Sequence, residues 1–302
     1  MRDHLDLKNG VIVPPPKIAV VMITLNEAHN MPAVLENLKG WASEVFVVDS
    51  YSADDTVGIA LAGGAMVVQK PFRGFGEQWN FALETLPITA DWTMKLDPDE
   101  RLTDDLKRSI LKACSDDDPS TNGFLVTRSL WFMDKQLPVS QQITRVWRTG
   151  ICKFTDVRVN EYPIVDGKVR HIDGQLEHHD SPDLNHWLTK QNAYTTAEAV
   201  IRYNSNDLAF KPKLTGDRIE RRMWLKRHFY SMPFRYVGLF AYYFFIEGAW
   251  RAGRVGLIWA RLRCDVMRFV EYKTYEMRER GTDTVLKPLG IGASDPRVKQ
   301  YE

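Results

Sequence analysis

Residues 17–27 read KIAVVMITLNE. From Lys17 to Leu25 the run is almost continuously apolar and rich in β-branched side chains; Asn26 and Glu27 then follow. A short uninterrupted apolar run predicts a strand covered on both faces, because a half-exposed strand alternates apolar with polar residues. The neighbouring segments supply the covering layers. Met31–Trp41 has helical spacing through Val34, Leu35 and Leu38. EVFVVD at 44–49 is a second strand of the buried type, followed by a helix over 55–62 with Ser52 or Asp54 as its cap. A strand over 65–69, a helix over 75–86, a strand in DWTMKL at 91–96 and a helix over 104–114 extend the series. Four strands alternating with four helices predict an α/β layer with a mostly parallel, Rossmann-like central sheet.

In such sheets ligands bind beyond the carboxyl ends of the strands. Polar residues cluster at three of those ends: Asn26 and Glu27, then Asp49, Ser50 and Ser52, then Asp97, Asp99 and Glu100. The third cluster reads Asp97-Pro98-Asp99-Glu100. Two carboxylates one residue apart can share a divalent cation, or one can hold the metal while the other meets a ribose or water. Mg2+ and Mn2+ prefer hard oxygen ligands and often combine one or two carboxylates with substrate phosphates. A bare DxD pattern is common, and its bland reading is a solvated turn capping the next helix. Its position after a buried strand favours a ligand site.

The middle of the chain changes character. Segments 123–132 and 142–147 predict strands, and 157–172 a hairpin around Asp166-Gly167. They form a mixed-sheet extension, and helical periodicity returns from Pro182 to Tyr203. Residues 1–16 end in Pro14-Pro15-Pro16 and read as an extended lead-in. The expected layout is therefore a lead-in (1–16), a catalytic domain (17–206) and a C-terminal helical region (207–302).

The chain has 302 residues and a formal charge of +1, but that balance hides an asymmetry. Between residues 211 and 278 lie fifteen Lys/Arg, six Asp/Glu and fifteen Phe/Trp/Tyr. Interleaved basic and aromatic side chains suit an anionic membrane surface. VGLFAYYFFIEGAW at 237–250 is too short to span a bilayer but long enough to lie on one. Packing against the catalytic domain or a homo-oligomer interface are the competing readings; binding of nucleic acid is not expected. Cys114, Cys152 and Cys264 are widely spaced, which argues for a reducing compartment and against a zinc ribbon. The N-terminus carries no apolar segment of a secretory signal. These features together predict a cytoplasmic protein that is peripheral on a membrane surface.

Four ordered motifs carry a resemblance over roughly residues 17–200. They are Ile23-Thr24-Leu25-Asn26-Glu27, the segment Val47 to Thr56, Gly74 to Leu83, and Asp91 to Glu100. The chain resembles the family 2 glycosyltransferases, which use the GT-A fold, and within them the lipopolysaccharide core β-glucosyltransferases. Tyr51, Ala53 and Asp55 stand where that family usually has Gly, Thr and Gly. The resemblance implies a nucleotide-diphosphate sugar donor, an inverting single displacement and a lipid-linked saccharide acceptor in lipopolysaccharide, capsule or exopolysaccharide synthesis. It implies that Thr24, Asn26, Glu27, Asp49, Ser52 and Gln78 line the nucleotide pocket, with Asp49 on the base edge. Asp97 would meet the ribose or metal, and Asp99 would hold the metal. Single displacement needs one carboxylate to accept the acceptor's proton. Glu161, in a segment similar to the subgroup's V-H-E…DG, is the expected base, with Asp156 and Glu100 as fallbacks. Arg145, Arg148 and His178 are candidates for the diphosphate or acceptor, since arginine binds phosphate oxygens bidentately. A polyprenyl-phosphate glycosyltransferase and a non-catalytic sugar-nucleotide scaffold are the alternative readings.

Overall fold

The computed structural model describes residues 6–8, 11–13, 15–116, 118–155, 161–204, 213–216 and 218–283. The strands are β1 Asp6–Lys8, β2 Val11–Val13, β3 Ile18–Thr24, β4 Glu44–Asp49, β5 Met66–Gln69, β6 Trp92–Lys95, β7 Glu100–Leu102, β8 Thr121–Phe132, β9 Lys135–Arg148, β10 Cys152–Phe154, β11 Pro163–Val165 and β12 Lys168–His179. The helices are α1 Met31–Leu38, α2 Thr56–Ala62, α3 Phe75–Thr85, α4 Asp104–Ser115, α5 Leu184–Tyr203, α6 Arg218–His228, α7 Arg235–Ala241 and α8 Gly253–Arg280.

Eight strands form one sheet in the order β5-β4-β3-β6-β9-β8-β12-β7. β5, β4, β3 and β6 run parallel. β9 then joins β6 antiparallel, and the mixed extension follows. The sheet is covered on both faces, as the uninterrupted run at 17–25 requires. Ile18, Val20 and Met22 pack with Met31, Val34 and Leu38 of α1 and with Leu106 and Ile110 of α4. The alternate residues Ala19 and Val21 pack with Phe46, Val48 and Trp79 on the opposite face, beneath α3. Successive strand side chains point to opposite faces, so one strand feeds both cores. A third core joins Phe132 and Leu137 of the β8–β9 hairpin to Trp187 of α5 and to Ala249, Ala252 and Trp259 near the start of α8.

Three expectations change. The lead-in is extended but folds back on itself, with Asp6 opposite Val13 in a two-stranded ribbon. Asp166-Gly167 does not close a hairpin. β11 pairs with β10, whereas β12 leaves to pair in parallel with β8, so the turn connects two different sheets. β7 was not expected at all, because three residues are too few to carry a period. It pairs antiparallel with β12 and sets His178 opposite Glu100.

β12 shifts register between His171 and Gln175, and Gly174 sits there at φ 101°. A Cβ at Gly174 would lie 2.5 Å from Leu106 Cα and 2.6 Å from Leu106 N, inside the backbone of α4. Gly174→Ala is therefore expected to cost about 3 kcal/mol, from positive-φ strain and overlap that no rotamer relieves. A shift in the urea midpoint at constant slope measures it.

Candidate active site

The carboxyl ends of β3 and β4 are laced together by their own polar residues. Asn26 adopts φ 57°, and its side chain accepts from Ala53 N at 2.7 Å. Ser52 Oγ accepts from Asn26 N at 2.8 Å. Glu27 N donates to Thr56 Oγ1 at 2.8 Å. Asp49 is fully buried and accepts from Thr24 Oγ1, Ser52 N and Gln69 Nε2 at 3.0, 2.8 and 3.0 Å. These bonds tie its carboxylate to the loop after β4 and to β5. Gln78 is also buried; its Nε2 reaches Ser50 Oγ and Lys70 O, both at 3.3 Å, tying α3 to the strand ends. The polar residues at these strand ends mostly satisfy loop backbone, a cost that any irregular buried segment must meet.

Glu27 behaves differently. Its Oε2 accepts from Asn30 Nδ2 at 2.8 Å. Burial, then the negative charge of Asp99, pushes its carboxyl up to about 7. Glu27 therefore faces the acidic loop after β6.

That loop is held from within. Arg145 of β9 is buried, and its Nη2 donates to Asp97 Oδ2 at 2.7 Å and to Glu100 Oε1 at 2.5 Å. Burial alone would raise the Asp97 carboxyl, but Arg145 and Lys95 bring it below the usual range. Arg101 clamps the turn through Pro98 O and Glu100 O, both at 2.6 Å. Arg145 thus binds carboxylates of its own chain. Arg148 lies at the other end of the sheet, opposite Trp92 at the start of β6, where it donates to Thr121 O and Asp118 O. Its expected contact with a diphosphate is corrected: the antiparallel entry of β9 carries residue 148 away from the strand ends where residue 145 sits.

Asp99 gathers the remaining groups. The β7–β12 pairing, extended by a bond from His179 N to Asp99 O at 2.8 Å, brings His178 Nε2 to 3.3 Å from Asp99 Oδ2. Asp180 completes a set in which one ligand atom each of Asp99, His178 and Asp180 lie within 4.8 Å of one another. Lys190 of α5 donates to Asp99 Oδ2 and Asp180 Oδ1, each at 3.1 Å. Burial would raise the Asp99 carboxyl, yet Lys190 and His178 hold it well below the usual range. Asp99 Oδ1 is buried and has no hydrogen-bond partner among the described residues. An orphaned carboxylate oxygen beside a carboxylate and an imidazole fits a divalent cation. Of the expected ligand pair, Asp97 is engaged by Arg145, whereas the groups placed around Asp99 are His178 and Asp180.

Glu161 stands on a separate wall. Its Oε1 accepts from Lys95 Nζ at 2.7 Å, with both side chains nearly buried. Lys95 in turn lies 4.4 Å from the centre of the Trp79 ring. Asp156 and Asn160 lie outside the described residues. Sequence reading missed Asp180, Lys190 and Lys95. The two lysines look like ordinary solvated charges, and only the polar segment following His178-His179 marked Asp180.

Residues 19–156 match the model of Glycosyl transferase family 2. An uncharacterized glycosyltransferase of Rickettsia felis is 28% identical over 197 residues, which span 61% of this chain and 69% of the relative. A second, from Rickettsia prowazekii, is 27% identical over 197 residues, spanning 61% and 67%. A mannosyltransferase of Pyrobaculum calidifontis, solved with GDP-Man and Mn2+, is 16% identical with a TM-score of 0.49, covering 86% of this chain and 87% of that one. The match covers 138 of the 302 residues, and it falls on the mostly parallel sheet and the start of its mixed extension, the arrangement expected of a GT-A fold. None of these relatives bears the narrower lipopolysaccharide description.

Glu27 generates a test. Its carboxyl titrates near 4.5 in an unstructured chain and about 7 in the folded one. Between those values the folded protein keeps a proton that the unfolded chain has released, so stability falls as pH rises through this window. Glu27→Gln removes that fall. Without ligand, the variant is expected to be more stable than the wild type above pH 7, by roughly 2–3 kcal/mol, and equal to it near pH 4. Denaturant midpoints across the range measure the difference.

Proposed function

We propose that this protein is an inverting, metal-dependent hexosyltransferase that moves a sugar from a nucleotide diphosphate to a lipid-linked saccharide in lipopolysaccharide, capsule or exopolysaccharide synthesis. The observation that carries this reading is the convergence of Glu27, Asp97, Asp99, His178 and Asp180 at the carboxyl end of a family 2 sheet, with one oxygen of Asp99 unpartnered. A nucleoside diphosphate gains negative charge as it leaves, and a cation at the crevice opposes that charge.

In this reading the loops after β3 and β4 bind the nucleoside, with Glu27 near the ribose. Asp99, His178 and Asp180 would hold Mg2+ or Mn2+, which when bound neutralises the departing diphosphate. Arg145 keeps Asp97 and the turn of Pro98 fixed. Glu161, oriented by Lys95, takes the proton from the acceptor hydroxyl. The freed oxygen attacks the anomeric carbon from the face opposite the diphosphate, and the bonding pair leaves with the diphosphate. One displacement inverts the centre, so an α-linked donor gives a β product.

The acceptor class rests on the C-terminal helices. Phe234, Val237, Phe245, Ile246 and Trp250 are 84, 68, 63, 76 and 51% exposed on one continuous segment, with Arg251, Arg254 and Arg261 exposed beyond them. A segment of exposed apolar and aromatic side chains followed by exposed arginines suits the headgroup layer of an anionic membrane, where a lipid-linked saccharide is presented. No helix among the described residues is long and apolar enough to cross a membrane. In this reading the protein is peripheral on the cytoplasmic face of the inner membrane.

Two experiments test the reading. Nucleotide-diphosphate sugars are screened with Mn2+ and a bacterial lipid extract, and release of nucleoside diphosphate is followed. Glu161→Gln is expected to keep donor binding and lose roughly 10²–10⁴-fold in transfer, the usual scale for a general base. Transfer unaffected by this change and by Asp99→Asn would sink the enzyme assignment. For the membrane, the protein is floated with vesicles of equal parts phosphatidylglycerol and phosphatidylcholine. Co-flotation that weakens with salt and is lost in Phe245→Glu/Ile246→Glu is expected. Self-association of the wild type without flotation would assign the patch to a homo-oligomer instead.

A further inference from the structure

We infer that Lys190 is the resident cation of the Asp99–Asp180 site, and that its ammonium and a divalent ion occupy the site in exchange. This rests on the reading of Asp99, His178 and Asp180 as the metal ligands and adds the device that controls their loading.

The geometry is specific. Lys190 Nζ is 3.1 Å from Asp99 Oδ2, 3.1 Å from Asp180 Oδ1 and 3.1 Å from Asp180 O. Those are its three donor directions, so the ammonium is fully satisfied between the two carboxylates. Its side chain is mostly buried, as are those of both partners. A Mg2+ or Mn2+ ion bound to these oxygens sits about 2.0–2.2 Å from each. An ion that takes Asp99 Oδ2 and Asp180 Oδ1 competes with the ammonium for the same oxygens, and two cations in one poorly solvated site repel strongly. Entry at those oxygens therefore requires the lysine head to move aside.

The exchange follows from what each cation is good for. Without either an ion or Lys190, Asp99 and Asp180 would be adjacent, mostly buried carboxylates that had lost their shared partner, and removing the partner of a buried charge is strongly destabilising. Lys190 prevents that. Its long flexible stem, on the second turn of α5, lets the head leave without moving the helix. A donor diphosphate arriving with the ion offers phosphate oxygens for the displaced ammonium. Lys190 therefore weakens ion binding to the empty protein and couples ion entry to donor entry.

The test reads Mn2+ binding alone, by electron paramagnetic resonance on the full-length protein, with no sugar nucleotide and no turnover. Lys190→Met removes the competitor and is expected to bind Mn2+ at least tenfold more tightly than the wild type. Lys190→Arg keeps a cation and should bind no more tightly than the wild type. In EDTA the melting midpoint of Lys190→Met is expected to fall, and Mn2+ should restore more of it than it adds to the wild type. Lys190→Gln serves if the methionine variant does not fold. Mn2+ affinity in Lys190→Met equal to or below that of the wild type overturns the exchange. Asp180→Asn separates the two failures: loss of Mn2+ binding there upholds the ligand assignment even if the exchange fails, and unchanged binding overturns both.

Discussion

A buried guanidinium holds the crevice together. Glu27, Asp97, Asp99, Glu100 and Asp180 meet around one loop, and unpaired charges in such a place cost several kcal/mol each. Arg145 bridges Asp97 and Glu100 from β9, Arg128 of β8 reaches Glu100 at 3.4 Å, and Lys190 bridges Asp99 and Asp180 from α5. Every one of these cations comes from a different element. The acidic site therefore exists only when the extension and α5 are docked on the parallel half. Such pairs add little net stability compared with an apolar core of the same shape. What they provide is a fixed arrangement of carboxylates out of bulk water, which is what a divalent cation requires.

The second constraint is the short pairing of β7 with β12. It is only three residues long, yet it fixes the register that sets His178 beside Asp99. β12 reaches β7 by passing close over the start of α4, where Gly174 leaves room. Backbone register, rather than any side-chain preference, thus builds the Asp99–His178–Asp180 cluster.

Helix α5 links that cluster to the C-terminal layer. Trp187 packs into the third core, Lys190 faces the acidic loop, and Asn192, Thr195 and Thr196 accept from Lys273 of α8 at 2.7–2.9 Å. The acidic loop and the C-terminal helices are thereby packed against the same helix.

Much of this architecture is local and was therefore legible in the chain. Apolar runs of strand length, helical spacing between them, and polar residues at the strand ends predict the parallel half and the place of Asp97-Pro98-Asp99-Glu100 after its last strand. The roles within the crevice were not legible, because they depend on long-range register. Asp49 and Asp99 look alike in sequence, each an acid after a buried strand. Folding surrounds Asp49 with hydroxyls and amides, and leaves Asp99 with an unpartnered oxygen beside His178 and Asp180. Arg145 and Arg148 are three residues apart in one strand, but that strand carries one into the acidic loop and the other to the far edge. Periodicity assigns residues to strands and faces. Only the antiparallel return of β9, the crossing of β12 and the docking of α5 determine which charges meet, since Arg145 lies 48 residues from Asp97 and Lys190 lies 91 from Asp99.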